Sequence, residues 1–197
     1  MASKFRIPKA TLDGAYGALM TRVARRMWGQ VPDNAYVLWH NVPVAKAVFG
    51  FERKVAGWKA LDPHLKTYAE MASAGVIGCT WCLDFGYFLA HTNGLDEAKV
   101  REVPRWRESE VFTELERDVM AYAEAMTATP PEVTDEMVAS LDERLGHAAV
   151  VELTMMVAVE NQRSRFNAAM GLASQGYSDV CELPLAVRSD EAGTIAG

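Results

Sequence analysis

The sequence predicts an all-α, single-domain protein, a bundle of seven to nine helices, and three observations carry that reading. Apolar residues recur at the 3.6-residue period of a helix through nearly every segment. No stretch sustains the apolar–polar alternation of a half-buried strand. Chain breakers are few, 14 glycines and 8 prolines in 197 residues, while 50% of residues are hydrophobic, enough to close one core.

Each element has its own start and stop signals. The first predicted helix covers Thr11 to Trp28, and its basic end at Arg22, Arg25 and Arg26 suits a helix C-terminus. Asp33 is placed to cap a short helix to His40, and Pro43 to open another to about Lys59. Asp62-Pro63 repeats that start signal before Leu65–Gly75. Gly78 precedes a helix that carries two cysteines and stops at Asn93-Gly94. A short helix begins at Leu95 and ends before Pro104. Thr113 and Glu116 have capping-box spacing for a helix over Glu114–Met126. After Pro130-Pro131, Thr134 caps a helix to Leu145-Gly146, and the last helix runs from His147 or Ala148 to about Met170. The ends, Met1–Ala10 and about Leu183–Gly197, read as frayed or flexible.

Charge and composition exclude several function classes. The formal net charge is −6, whereas nucleic acid or an anionic membrane needs a basic face. Arg101, Arg105 and Arg107 are offset by Glu102, Glu108 and Glu110. No apolar run reaches the ~18–20 residues of a membrane span, and Met1–Arg6 lacks the apolar region of a signal peptide. A soluble, cytoplasmic protein is expected. There is no GxGxxG, Walker loop or GxSxG motif. His40 and His64 have no ligand partner at i+4, so no metal is expected, and no other cofactor is expected where cysteine sulfur can supply two electrons.

The most informative feature is Cys79-Thr80-Trp81-Cys82; the third cysteine, Cys181, lies far away near the C-terminus. Residues i and i+3 share a helical face, so the two thiols can meet within one turn. Unpaired N–H groups at a helix start stabilise a thiolate, and the neighbouring thiol can resolve an oxidised intermediate as a disulfide. The competing reading is plain packing, since free cysteines are among the most buried residues. A thioredoxin fold is set aside because no strand pattern precedes Cys79.

Leu61-Asp62-Pro63-His64-Leu65-Lys66, an apolar helix and then Ile77-Gly78-Cys79-Thr80-Trp81-Cys82 resemble the core of the carboxymuconolactone decarboxylase superfamily, nearest the alkylhydroperoxidase D branch. Val151–Asn161 with Arg163-Ser164-Arg165-Phe166-Asn167 resembles that superfamily's closing helix. The resemblance implies one such helical domain over 1–197, with its core at about 34–171, an N-terminal helical extension at 9–30 and a flexible tail at about 183–197. It further implies a homo-oligomer, trimeric or hexameric, with a dimer the other assembly considered. It makes Cys82 the residue that attacks hydroperoxide and Cys79 the resolving thiol. The branch's relay histidine, four residues after the second cysteine, is Gly86 here, and its relay glutamate, twelve residues before the first, is Thr67.

Two side chains are candidates to stand in. Glu70 lies one helical turn after position 67 and can reach the thiols directly or through a water. His91 lies nine residues after Cys82, about 900° round the helix and so half a turn out of phase, which favours a helix-end role. Asp84 would raise a nearby thiol's pKa, and Glu160, Arg163 and Arg165 read as solvated or interface ion pairs. Trp28 and Trp39 belong to an aromatic-rich N-terminal third that packs as core or interface and is placed to roof the cysteines. The expected function is a thiol-dependent peroxidase-type oxidoreductase, recycled by an external thiol or disulfide reductant. The alternatives are a lactone decarboxylase-type enzyme, which needs acid–base groups rather than thiols, and a non-catalytic oligomeric redox-sensing or binding protein.

Overall fold

A computed structural model describes residues 3–187. Nine α-helices and two short 3-10 turns make up the described residues, with no strand among them. They are α1 (Gly14–Trp28), α2 (Asp33–Leu38), α3 (Val42–Val55), α4 (Pro63–Ile77), α5 (Thr80–Thr92), α6 (Glu97–Val100), α7 (Glu114–Thr127), α8 (Asp135–Leu145) and α9 (His147–Met170). The 3-10 turns are Val103–Arg105 and Tyr177–Val180.

The caps lie where the side chains dictate. The Asp62 carboxylate accepts the His64 N–H at 2.8 Å and opens α4, and Thr113 and Glu116 form both halves of a capping box on α7. Thr134 accepts the Met137 N–H at the start of α8. The first helix begins at Gly14 rather than Thr11, and α3 stops at Val55, short of Lys59.

The centre of the bundle is α4, packed against α5, α7 and α9. Tyr68 and Met71 of α4 meet Tyr87 of α5, Val119 and Met120 of α7, and Leu153 and Val157 of α9, all fully buried. Each such large side chain contributes about 1.5–3 kcal/mol. Ala69, Ala72, Ser73 and Ala74 keep α4 slim enough for its neighbours, and the buried Ser73 hydroxyl donates back to the Ala69 carbonyl at 2.9 Å. Gly78 ends α4 at φ 75°, a left-handed conformation that favours glycine. The reversal there sends the chain straight into α5 with Cys79 as its N-cap.

The described chain ends are tied to helix ends by hydrogen bonds. Residues 3–10 are not helical, yet Lys4 N–H donates to the Gly171 carbonyl at 2.8 Å and Arg6 N–H to that of Met170 at 3.1 Å. These are carbonyls that the end of α9 leaves without helical partners. At the other end the Tyr87 hydroxyl donates to the Leu183 carbonyl at 2.7 Å, the Leu183 N–H to Glu97 at 3.0 Å, and the Ala186 N–H to the Arg101 carbonyl at 2.9 Å. Over residues 3–10 and 183–186, backbone groups thus satisfy helix ends and a buried tyrosine. Residues 1–2 and 188–197 lie outside the described residues. No helix among the described residues is long and apolar enough to cross a membrane.

Candidate active site

Cys79 and Cys82 are joined by a disulfide at the start of α5, with their Cα atoms 5.3 Å apart. The Cys79 sulfur occupies the position of a capping oxygen and accepts the Cys82 N–H at 3.2 Å. The helix start thus stabilises negative charge on this sulfur through a specific bond as well as through its dipole. The pair is 2% and 8% exposed, so a substrate reaches it only through movement of what covers it.

The surroundings of the sulfurs come from the closing helix. Glu160, Ser164 and Asn167 stand at i, i+4 and i+7 on the face of α9 that also carries Leu153 and Val157 into the core. Ser164 Oγ lies 2.6 Å from Glu160 Oε1 and 3.2 Å from Cys82 Sγ. A hydroxyl has one proton, and the shorter contact takes it, so Ser164 donates to Glu160. Its oxygen is then free to accept from Cys82 once that residue is a thiol. Asn167 Nδ2 points at both sulfurs, 3.4 Å from Cys82 and 3.9 Å from Cys79. The Asn167 Oδ1, in a side chain 1% exposed, has no hydrogen-bond partner among the described residues.

Behind this face one arginine serves three carboxylates. Arg163 makes two bonds to Glu52, at 2.9 and 2.5 Å, and one to Glu70 at 2.5 Å. Its contact with Glu160 is long, 3.4 Å. Glu160 is 4% exposed, and burial pushes its carboxyl up to about 7, with Arg163 and Ser164 opposing and Glu70 adding to the rise. The expectation that Glu160 and Arg163 are simple solvated or interface pairs is corrected: this carboxyl is buried and poised to exchange a proton near neutrality. The Glu70 carboxylate is held by Arg163, and its charge bears on Glu160.

The remaining predicted residues lie elsewhere. His91 Nδ1 pairs with Glu97 at 3.2 Å at the far end of α5, as the helix-end reading had it. Asp84 turns to the loop after α9 and accepts from Ser178 N–H at 2.8 Å, Gln175 N–H at 2.9 Å and Tyr177 N–H at 3.1 Å. Burial alone would raise its pKa, but the Ser178 and Tyr177 bonds outweigh it and hold the carboxylate below its usual range. The Thr67 hydroxyl donates to the Pro63 carbonyl at 3.0 Å. Cys181 is half-buried and free, and burial, then Glu97 and Asp84, push its thiol up to about 11.

An aromatic cover lies beside the pair. Trp81 stacks on Phe85 at 5.0 Å between centroids, Tyr177 meets Phe85 at 4.9 Å, and Trp28 meets Phe85 edge-on at 5.5 Å. Phe5, Phe166, Met170 and Leu172 pack in the same cluster as the cysteines. Trp28 joins this cover, whereas Trp39 stacks on Tyr16 in a separate cluster. Gln175 ties the layers together, its Oε1 accepting the Trp81 indole N–H and the Asp33 N–H, both at 2.7 Å.

Comparisons with known proteins agree with this architecture. The model of the carboxymuconolactone decarboxylase family matches residues 43–125. The uncharacterized protein YnjA of Escherichia coli (strain K12) is 30% identical over 169 residues, covering 86% of this chain and 85% of that protein. Among solved structures, a cysteine-to-alanine variant of the debrominase Bmp8 in complex with 2,3,4-tribromopyrrole superposes with a TM-score of 0.77 at 20% identity, covering 90% of this chain and 96% of that one. An uncharacterized peroxidase-related protein from Silicibacter sp. TM1040 gives 0.73 at 14% identity, over 86% and 93% of the two chains.

Proposed function

We propose that this chain, which belongs to the carboxymuconolactone decarboxylase family, is a thiol-dependent oxidoreductase that reduces hydroperoxides through Cys82 and Cys79. The observation that carries the reading is the hydrogen-bonded line from Cys82 Sγ through Ser164 Oγ to the buried Glu160 carboxyl. It supplies from α9 the proton relay that Gly86 and Thr67 lack.

In the reduced protein Glu160 accepts a proton through Ser164 as the Cys82 thiol ionises, and Asn167 Nδ2 donates to the thiolate. The Cys82 thiolate attacks the terminal oxygen of the hydroperoxide, and the O–O bond breaks. The alcohol leaves with the proton returned by Glu160, and Cys82 becomes a sulfenic acid. Cys79 then gives up its thiol proton and attacks the Cys82 sulfur; the S–O bond breaks, the hydroxide leaves as water with that proton, and the disulfide forms. An external dithiol returns the pair to the reduced state by exchange. Outward-facing Leu19, Val23 and Met27 on α1, with Val151 and Met155 on α9, support assembly into a homo-oligomer.

The aromatic cover favours a second reading, a thiol-dependent removal of halogen from an aromatic ring. Trp81, Phe85, Tyr177 and Trp28 provide flat apolar surface beside the sulfurs, and the debrominase Bmp8 shares the fold. In that chemistry the thiolate takes the halogen, the ring carbon takes a proton, and the second thiol displaces halide to leave the disulfide.

Single-turnover oxidation of the reduced protein by an alkyl hydroperoxide, followed against pH, tests the proposal. The rate is expected to rise through about pH 7 as Glu160 ionises. Glu160→Gln is expected to remove that inflection, and Cys82→Ser all reaction. An unchanged inflection in Glu160→Gln would sink the relay; a Cys82→Ser protein that still consumes peroxide would sink the function.

A further inference from the structure

We infer that His91, Glu97 and Cys181 form a binding site for a zinc-type divalent cation at the end of α5 opposite the cysteine pair. The site stands apart from the proposed redox chemistry and goes beyond it. Sequence spacing gives no hint of it, because the three residues come from separate segments. His91 lies in the last turn of α5, Glu97 is the first residue of α6, and Cys181 follows the 3-10 turn Tyr177–Val180.

Two observations point to a cation. The first is convergence: one donor atom from each residue lies within 4.8 Å of the other two. An imidazole nitrogen, a carboxylate oxygen and a thiolate sulfur are a ligand set that zinc accepts, and three protein ligands leave a fourth position open. Bonds of about 2.0–2.3 Å place tetrahedral donors roughly 3.3–3.7 Å apart. His91 Nδ1 and Glu97 Oε2 already stand at 3.2 Å, so side-chain rotation on the order of 1 Å closes the set.

The second observation is a local surplus of acceptors. The Tyr87 hydroxyl has one proton but lies 3.1 Å from Glu97 Oε1 and 2.7 Å from the Leu183 carbonyl, and it can donate to only one of them. The shorter contact, to Leu183, takes the proton, so Glu97 Oε1 faces the Tyr87 oxygen with no proton between and is left with the Leu183 N–H as its donor. A bound cation draws off that excess. The Leu183 N–H, at 3.0 Å from Glu97 Oε1, also holds the Glu97 carboxylate from behind, the arrangement that orients metal ligands. His91 is partly open to solvent, which gives an ion its way in.

The test uses the full chain as the Cys79→Ser/Cys82→Ser double variant, so that the pair near α9 contributes no thiolate. Titration of this reduced protein with cobalt(II) is expected to give a thiolate-to-metal charge-transfer band that saturates at one equivalent and is displaced by zinc. Cys181→Ser is expected to abolish the band, and His91→Ala or Glu97→Gln to weaken binding about 10- to 100-fold. A second readout needs no substitution at the site. In wild-type protein with its disulfide closed, zinc is expected to protect Cys181 from alkylation. A missing band with Cys181 intact, a band indifferent to His91→Ala and Glu97→Gln, or no zinc protection of Cys181 would overturn the site.

Discussion

The two ends of α5 place sulfur in opposite electrostatic settings. At its start, the Cys82 N–H points at Cys79, and the Asn167 amide points at both sulfurs from α9. At its end, Cys181 sits with Glu97 and feels Asp84, and its thiol is pushed up to about 11. The helix dipole runs the same way as these contacts, positive toward the pair and negative toward Cys181. Burial is the largest cause of the Cys181 rise and the anions add to it, whereas at the more deeply buried pair the donors oppose what burial does. Proton acceptance is also divided: near the pair a carboxyl near 7 can take a proton, while near Cys181 the carboxylate only opposes ionisation.

Breaking the pair gives the largest effect. Cys82→Ser is expected to reduce hydroperoxide consumption to background, while Cys79→Ser still reacts once and stalls at the sulfenic acid, visible by mass spectrometry as one added oxygen. In the intact protein, peptide mapping after mild oxidation should find Cys79 joined to Cys82 and Cys181 free. A dominant disulfide through Cys181 would erase the contrast between the two ends.

Removing the proton acceptor comes next. Glu160→Gln is expected to slow oxidation of the pair about 10²–10⁴-fold at pH 8. The same carboxyl makes stability depend on pH. Its folded-state pKa is raised above the unfolded value near 4.5, so the folded protein holds that proton more tightly. The resulting stabilisation is complete below about 4.5 and is lost as pH rises through about 7, a decline on the order of 3 kcal/mol. Denaturant melts of wild type between pH 5 and 8 should show it, and Glu160→Gln should flatten it.

A smaller change is expected at Asn167. Asn167→Leu takes a donor from the sulfurs and is expected to raise the pH midpoint of Cys82 alkylation by roughly 1. Asn167→Asp adds an anion there and should raise it further. If neither variant moves the midpoint, the amide is packing rather than chemistry.

How much of this was legible differs between fold and site. Helix starts were written in local residues, Asp62, Thr113 and Thr134 with their neighbours two or three positions on, and they lie where expected. The cysteine pair was legible for the same reason, being a contact within one turn. The relay was not, because Ser164 and Cys82 are 82 residues apart and only the packing of α9 beside α5 joins them. A signal did exist: Glu160, Ser164 and Asn167 continue the Leu153 and Val157 face, so three polar groups stand where an apolar stripe belongs. Residues 3–10 and 183–186 are held by carbonyls and a carboxylate from distant helices, which composition does not reveal.

The smallest expected effect is at Gly86, the position where the resembled peroxidase branch carries its relay histidine. By the family pattern, Gly86→His together with Thr67→Glu would raise peroxide reactivity. The packing argues otherwise. A Cβ added at Gly86 meets Met71 Cγ at 3.3 Å, and Met71 is buried in the core. Gly86→Ala therefore sets a helix-propensity gain of about 1 kcal/mol against displacement of a flexible side chain, and a net change within about 0.5 kcal/mol is expected. An imidazole must go further into the same space, at a stability loss of about 1–3 kcal/mol. Cys82 already faces Ser164, which bonds to Glu160, so the added base should change the oxidation rate by less than about threefold, well below the roughly 10²–10⁴-fold of a true acid–base group. Stopped-flow oxidation of Gly86→His alone, and again with Glu160→Gln, separates the cases. A large gain in the first protein would mean that α9 does not supply the working relay; rescue only in the second would mean that the two relays are alternatives for one sulfur.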